Sequence, residues 1–270
     1  MNRSEPQIIA TLSGRTPERC REQIREARRA GADLAEIRFD LWEAALLGRI
    51  RELFPAPIPL VATYRSRSEG GEGSDDPAVR AAVLERLASA PFHLIDLEIA
   101  RDGAGPRRSP NGPRFVRSAH VGQNARSREL EALLDHGLPG TEFTKLVVPS
   151  TVSEALGPLL ELAEARSDRP RVLVTTGASG ALFRALAPRL GFPGVYARLP
   201  ESADPGPVEP SQLPVDALRW YLDGQSPGPL FALLGHPISH SRSPGIFGSW
   251  MRSLGDRGLY LALDIATAEE

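Results

Sequence analysis

The 270-residue sequence predicts an α/β fold: a TIM (β/α)8 barrel over residues 1–224, a linker at 225–229, and a short C-terminal piece of a second α/β domain at 230–270. Three observations carry that prediction. Short apolar runs alternate with amphipathic stretches almost throughout, the pattern of parallel strands joined by crossover helices. Eight such runs precede Leu222, a spacing that suits a barrel better than an open sheet. Beyond Leu222 the chain changes to DGQSPGP, a linker composition, and a ninth apolar run begins.

The elements follow in order. IIATL (8–12) reads as a strand, and 16–31 as a helix with Thr16 as cap, Pro17 at the first helical position and Gly31 past the end. DLAEIRFDL (33–41) is a strand and 42–53 a helix; IPLVATYR (58–65) is a strand and 76–89 a helix with an Asp cap. HLIDLEIA (93–100) is a strand, after which RDGAGPRRSPNGPR (101–114) predicts a loop where a fourth helix would fall. FVRSAH (115–120), FTKLVVP (143–149), RVLVTTG (171–177) and GVYARLP (194–200) are the remaining strands of the barrel. They are followed by helices near 126–136, 152–166, 180–190 and 210–222. In the tail, LFALLG (230–235) and YLALDI (260–265) read as strands around a helix-like HPISHSRSPGIF, and ~40 residues are too few to close an independent domain.

A formal net charge of -2 provides no long-range field for nucleic acid or an acidic membrane. The arginines, spread along the chain and mostly in helical stretches such as RCREQIREARR (19–29), read as solvated helix faces. Cys20 is the only cysteine, which excludes an intrachain disulfide and a cysteine metal cluster. The N-terminus lacks the apolar core of a signal peptide and no apolar run reaches the length of a membrane span, so a soluble cytoplasmic protein is expected.

In a TIM barrel the chemistry lies at the C-terminal ends of the strands. The polar residues there are Glu36, Arg38 and Asp40, then Arg65 and Glu69, Asp96 and Glu98, His120, Lys145, Arg184 and Ser202. Glu36, Arg38 and Asp40 alternate on one side of EIRFD, which suggests an internal ion-pair network partnered by Asp96 and Glu98. Lys145 is the only lysine among 32 basic residues. It reads either as a surface amine or as a catalytic one: an amine desolvated beside other cations becomes nucleophilic and condenses with a ketone, chemistry that arginine cannot perform. His120, one strand earlier, is the candidate acid/base. Arg65 and Arg184 suggest an anionic substrate, carboxylate or phosphate.

In order along the chain, EIRFD (36–40), TYRSRSEGGE (63–72), IDLE (95–98), SAH (118–120), TKLVVPS (144–150) and TGASGALFRAL (176–186) resemble the motifs of type I 3-dehydroquinate dehydratase. The resemblance spans about residues 7–222. It implies a TIM barrel, a homodimer, no metal or cofactor, and dehydration of 3-dehydroquinate to 3-dehydroshikimate in the shikimate pathway. It also implies residue roles. Lys145 would form the imine, His120 act as acid/base, and Glu69 support the histidine. Arg184 would bind the substrate carboxylate, and Glu36, Arg38 and Arg65 hold substrate hydroxyls and charge. The family's Ser-Ala-Pro-Gly-Gln stretch, whose serine and glutamine close over substrate, is matched by SADPGP (202–207): Ser202 agrees, and Pro207 stands in place of the glutamine.

The tail motif LLGHPISHSRSP (233–244) resembles the opening of shikimate dehydrogenase, with Ser241 and Ser243 matching serines that bind the shikimate carboxylate. This implies a chain built like the start of a fused dehydratase–dehydrogenase. The rival readings are a Schiff-base aldolase on the same fold and a barrel that binds ligand without turnover.

Overall fold

Eight parallel strands stand side by side in the order β7-β6-β5-β4-β3-β2-β1-β8. They are β1 (Gln7–Leu12), β2 (Leu34–Arg38), β3 (Leu60–Thr63), β4 (Leu94–Glu98), β5 (Arg114–His120), β6 (Thr141–Pro149), β7 (Arg171–Thr176) and β8 (Gly194–Arg198). The computed structural model describes residues 5–107, 109–122, 127–165, 169–200, 209–224, 226–238 and 240–265.

The surrounding helices are set by local chemistry. In α1 (Pro17–Ala30) the Thr16 hydroxyl accepts from Arg19 N, Pro17 occupies the first turn, and Gly31 at φ +95° ends the helix in the left-handed region. Its Cys20, Ile24 and Ala27 face is buried. In α2 (Pro77–Ala88) the Asp76 carboxylate accepts from Ala78 N and Val79 N. The outer layer continues with α3 (Ser127–Leu134), α6 (Gly180–Leu190) and α7 (Val215–Leu222).

Several elements depart from the predicted ones, for identifiable reasons. Strand β2 ends at Arg38 and passes into a 3-10 turn, Phe39–Leu41. The stretch expected as a helix over 42–53 is a 3-10 helix, Ala44–Leu53, whose buried side chains Leu47, Ile50 and Leu53 recur every three residues, the period of that helix. The helix after β6 is broken: α4 (Val152–Glu154) and α5 (Leu160–Glu164) flank a π turn that holds Pro158 and a non-helical Gly157. Proline lacks the N–H and crowds the carbonyl four residues back, which forces the widening. Pro214 delays α7 to Val215. Among the described residues no helix separates β4 from β5. That loop is fastened by Asp102, which accepts from Glu98 N at 2.7 Å, and by Arg117, which donates to Gly103 O at 3.0 Å.

The barrel is nearly closed. No ladder joins β7 to β8 among the described residues. The seam is spanned by Arg184 of α6, which donates to Thr175 O of β7 at 2.9 Å and to Tyr196 O of β8 at 3.2 Å.

Beyond the barrel, β9 (Leu230–Gly235) and β10 (Leu259–Asp264) pair in parallel around α8 (Ser243–Ser253). The β10 side chains Leu259, Leu261 and Leu263 are buried, and the strand packs on α6, α7 and the Gly177–Ser179 turn. The outer face leaves Phe231, Leu234, Ile246, Trp250 and Leu254 exposed. No helix among the described residues is long and apolar enough to cross a membrane.

Candidate active site

The strand register decides which side chains meet. Side chains alternate along each strand, so Thr11, Glu36, Thr63, Asp96, Glu98, Ser118, His120 and Lys145 are delivered to the barrel interior by the pairings Thr11↔Glu36, Thr63↔Asp96, Glu98↔Ser118 and Ser118↔Lys145. Toward the C-terminal ends of the strands they open on a cavity of about 400 Å³. Lys145, His120, Glu69, Glu36, Arg38, Arg65 and Arg184 all line it. Ser202 and Pro207 lie outside the described residues.

Lys145 sits on the cavity floor with its side chain 5% exposed. Its Nζ donates to Asp96 Oδ2 at 3.1 Å, lies 3.9 Å from Glu36 Oε1, and stands 4.3 Å from the centre of the Tyr196 ring. Its direct contacts are therefore two carboxylates and an aromatic face, and the cation Arg65 shares Asp96 Oδ2 with it, at 3.1 Å from its own Nη2. The Lys145 amine is buried, not on the surface.

Glu36 spends both carboxylate oxygens on hydroxyls, those of Thr11 and Thr63, each at 2.8 Å. The network expected within EIRFD is thus confined to Arg38 and Asp40, which form a two-point pair at 2.8 and 2.7 Å. Asp40 reaches Arg38 from the 3-10 turn, since the strand ends before it.

His120 is held at two points by one oxygen of Glu69, through its backbone N at 3.0 Å and its Nδ1 at 3.1 Å. Nε2 has no protein partner among the described residues. The ring is 27% exposed, toward the cavity. Burial, and then the charges of Arg65, Lys145 and Arg38, push the imidazole well below its ordinary range, so it is neutral at neutral pH. Glu69 is shifted the other way: burial, with the repulsion of Glu98 and Asp96, outweighs Arg65 and lifts its carboxyl to about 7. For Asp96 burial alone would raise the carboxyl, but Lys145, Arg65 and the Ser118 hydroxyl outweigh it and hold the group at about 2.

Glu69 is presented by the loop Arg65–Gly73. Gly71 N donates to Ser66 O at 2.8 Å and Gly73 N to Arg65 O at 2.9 Å, which folds the loop flat onto Arg65. A methyl group at Gly71 would stand 2.3 Å from Arg65 O.

The two arginines read as anion ligands both have protein partners. Arg65 donates to Glu69 at 2.8 Å and to Glu98, Ser118 and Asp96 at 3.1 Å each. Arg184 has its Nε and Nη1 on carbonyls and on Ser211 Oγ, and its Nη2 lies 3.7 Å from Glu209. Nearly complete burial lowers Arg184 to about 10. Among the described residues no cluster of three or more His, Cys, Asp or Glu side chains is arranged to hold a metal ion.

Sequence reasoning did not single out Gln212, Tyr196 or Thr11, which also line the cavity. Gln212 Nε2 donates to Thr11 Oγ1 at 3.4 Å, and its buried Oε1 has no partner among the described residues. A glutamine therefore does face the cavity, five positions beyond Pro207, in Pro210-Ser211-Gln212. The Pro-x-Gln spacing was the signal that could have found it.

The family model for Type I 3-dehydroquinase matches residues 8–224. A 3-dehydroquinate dehydratase from Methanococcoides burtonii is 29% identical over 225 residues, covering 77% of this chain and 91% of that protein. A chloroplastic bifunctional 3-dehydroquinate dehydratase/shikimate dehydrogenase from Arabidopsis thaliana is 26% identical over 250 residues; the match covers 88% of this chain, which spans 41% of that longer protein. Among solved structures, a type I 3-dehydroquinate dehydratase from Clostridium difficile with covalently modified comenic acid superposes with a TM-score of 0.64 at 19% identity, covering 80% of this chain and 90% of its own.

Proposed function

The chain belongs to the type I 3-dehydroquinase family, a family of hydro-lyases of the shikimate pathway, and from that premise we propose that it dehydrates 3-dehydroquinate to 3-dehydroshikimate through an imine on Lys145. The observation that carries this reading is the sequence's only lysine, buried on the floor of the cavity, with a neutral histidine one strand away.

In this reading the Lys145 amine, once it has given up a proton, adds to the substrate ketone, and loss of water gives the imine. The protonated imine draws electrons from the adjacent carbon. His120, neutral and carrying an open Nε2, removes the proton there. The same histidine returns that proton to the departing hydroxyl, so water leaves as the new double bond forms. Hydrolysis of the imine by a second water restores Lys145. Glu69 fixes the Nδ1–H tautomer of His120 and steadies the imidazolium while it carries the proton. Asp96 orients Nζ. Arg184 would take the substrate carboxylate with Nη2, and Arg38, Glu36 and Gln212 would take hydroxyls. Gln212 here fills the role that Pro207 leaves open. Arg65 supports the carboxylates instead of meeting substrate.

The unit at 230–265 is proposed as the opening of a shikimate dehydrogenase-like domain following a 225–229 linker. The homodimer implied by the family resemblance and the cytoplasmic location expected from the sequence belong to the same proposal.

Borohydride reduction in the presence of 3-dehydroquinate, followed by peptide mass spectrometry, tests the mechanism. An adduct on Lys145 is expected. A folded protein that turns over substrate without one refutes the imine, and one that neither reacts nor turns over points to a barrel that binds without chemistry.

A further inference from the structure

A chain of alternating buried charges leads away from the cavity floor. Lys145 Nζ meets Asp96 Oδ2 at 3.1 Å; Asp96 meets Arg65 Nη2 at 3.1 Å; Arg65 Nη1 meets Glu98 Oε1 at 3.1 Å. It does not stop there. Glu98 Oε2 faces Arg80 Nη2 at 3.2 Å, and Arg80 grips Asp102 with Nε and Nη2 at 2.7 and 2.9 Å. Arg80 is 1% exposed, lies on α2 and does not line the cavity. It also donates to Ser74 O at 3.2 Å, at the end of the loop that presents Glu69, and its guanidinium lies 5.6 Å from the centre of the Tyr64 ring.

Three features make this arrangement more than packing. Glu98 is buried with Oε1 taken by Arg65 and Ser66 N, while its buried Oε2 accepts no hydrogen bond, so among the described residues the cations that offset its charge there are Arg80 at 3.2 Å and, at 3.9 Å, the exposed Arg101. An uncompensated buried carboxylate would bear on its neighbours by Coulomb repulsion across a poorly screened interior. Asp102, the partner that holds Arg80, comes from the loop that stands where the fourth helix of the barrel is absent, and it is itself anchored on Glu98 N at 2.7 Å. The arrangement thus ties that loop, β4 and the Glu69 loop to one side chain.

We propose that Arg80 is a positioning residue for the reaction: it fixes Glu98 and, through Arg65, the place and the charge of the Glu69 carboxylate that holds His120. The groups facing Glu69 are Arg65 from its own loop, Asp96 and Glu98 from β4 and His120 from β5; those facing Glu98 are Arg65, Arg80, Arg101 and Asp102. The sign follows. Removing the Arg80 cation leaves Glu98 less compensated, disfavours ionised Glu69 and moves its titration to higher pH. Removing the Asp102 anion leaves Arg80 less neutralised and moves it to lower pH.

The test uses the full chain and two substitutions. Arg80→Met keeps an unbranched side chain without charge, and Asp102→Asn is isosteric. The Glu69 carboxyl is titrated by carbon-13 NMR, and kcat/KM is measured against pH. For Arg80→Met the Glu69 midpoint and the acid limb of kcat/KM are expected to rise together by on the order of one pH unit, with kcat falling about tenfold and KM holding within about twofold, because no cavity contact is lost. Arg80→Lys is expected to recover most of kcat. For Asp102→Asn both midpoints move down. Folded variants with Glu69 titrating as in the parent overturn the proposal and leave Arg80 a structural residue. Should Arg80→Met not fold, Asp102→Asn decides alone by the direction of its shift. The kinetic arm rests on the dehydratase reading and the NMR arm does not: an inactive parent chain with shifted Glu69 midpoints in the variants would sink that reading and keep this one.

Discussion

Glu69 and His120 are held in forms that an isolated side chain would not favour, and each affects stability in its own pH window. The folded chain keeps a proton on Glu69 up to about 7, whereas the unfolded chain releases it near the ordinary value of 4.5, so this group costs stability as pH rises between those limits. His120 acts oppositely. Unfolded chains take up a proton as pH falls through 6.5 and the folded chain resists it, so stability is lost toward acid. Asp96 adds a second acid loss, its contribution being full above 3.8 and disappearing as pH falls through about 2. Glu69→Gln is therefore expected to stabilise the chain by on the order of 1–3 kcal/mol at pH 8 and by little at pH 4, while lowering kcat; urea unfolding at the two pH values checks it. Lys145, His120 and Glu69 were legible in the sequence because each lies in or just beyond a strand of the predicted barrel, whose C-terminal end exposes its chemistry. Arg80 was not. It belongs to a helix in a chain rich in helical arginines, and only tertiary packing distinguishes a buried guanidinium from a solvated one. Tyr196 was hidden for the same reason: alternation places it on the inner face but does not reveal that its ring lies against the only lysine.

At the scale of elements, the segment that depends most on its residues is the loop Arg65–Gly73. Gly70 has φ +84°, and Gly71 and Gly73 bring their backbones against Arg65 where a side chain would collide. Gly71→Ala is expected to displace Glu69, with a stability loss of about 1–3 kcal/mol and a fall in kcat larger than any change in KM; thermal melts and steady-state kinetics on one preparation measure both. The caps of α1 and α2 were readable because Thr16-Pro17 and Asp76-Pro77 satisfy the first free N–H groups by local chemistry alone. The 3-10 helix at 44–53 and the π turn at Pro158 were not readable as such. Both depend on how the outer layer settles on the strands, and apolar residues three apart suit an α-helix nearly as well as a 3-10 helix. The missing fourth helix was legible from its Pro, Gly and Arg content. What occupies its place, Asp102 gripping Arg80, was not.

For the whole molecule, alternating strands and helices sufficed to predict the barrel, and the change of composition at residue 223 to predict a second unit. Sequence could not show that the second unit leans on the first. Its β10 buries Leu259, Leu261 and Leu263 against the α6–α7 side of the barrel, and Trp220 Nε1 donates to Asp256 O at 2.7 Å. Deleting residues 226–270 is expected to leave a folded barrel with dehydratase activity, reduced in stability by about 2–4 kcal/mol for the apolar faces newly exposed, and with KM raised more than kcat is lowered because α6 carries Arg184. Calorimetry beside kinetics checks this, and loss of the cooperative transition would show the tail to be integral to the barrel. The seam between β7 and β8 has a further consequence. A hoop fastened at seven joints and clasped at the eighth has its give concentrated at the clasp. Among the described residues the clasp is one guanidinium, whose remaining nitrogen lies 3.7 Å from Glu209 at the cavity wall. An anion that drew Arg184 off Thr175 O or Tyr196 O would loosen the hoop as it entered, and occupancy of the cavity would then be felt in the girth of the barrel through that side chain.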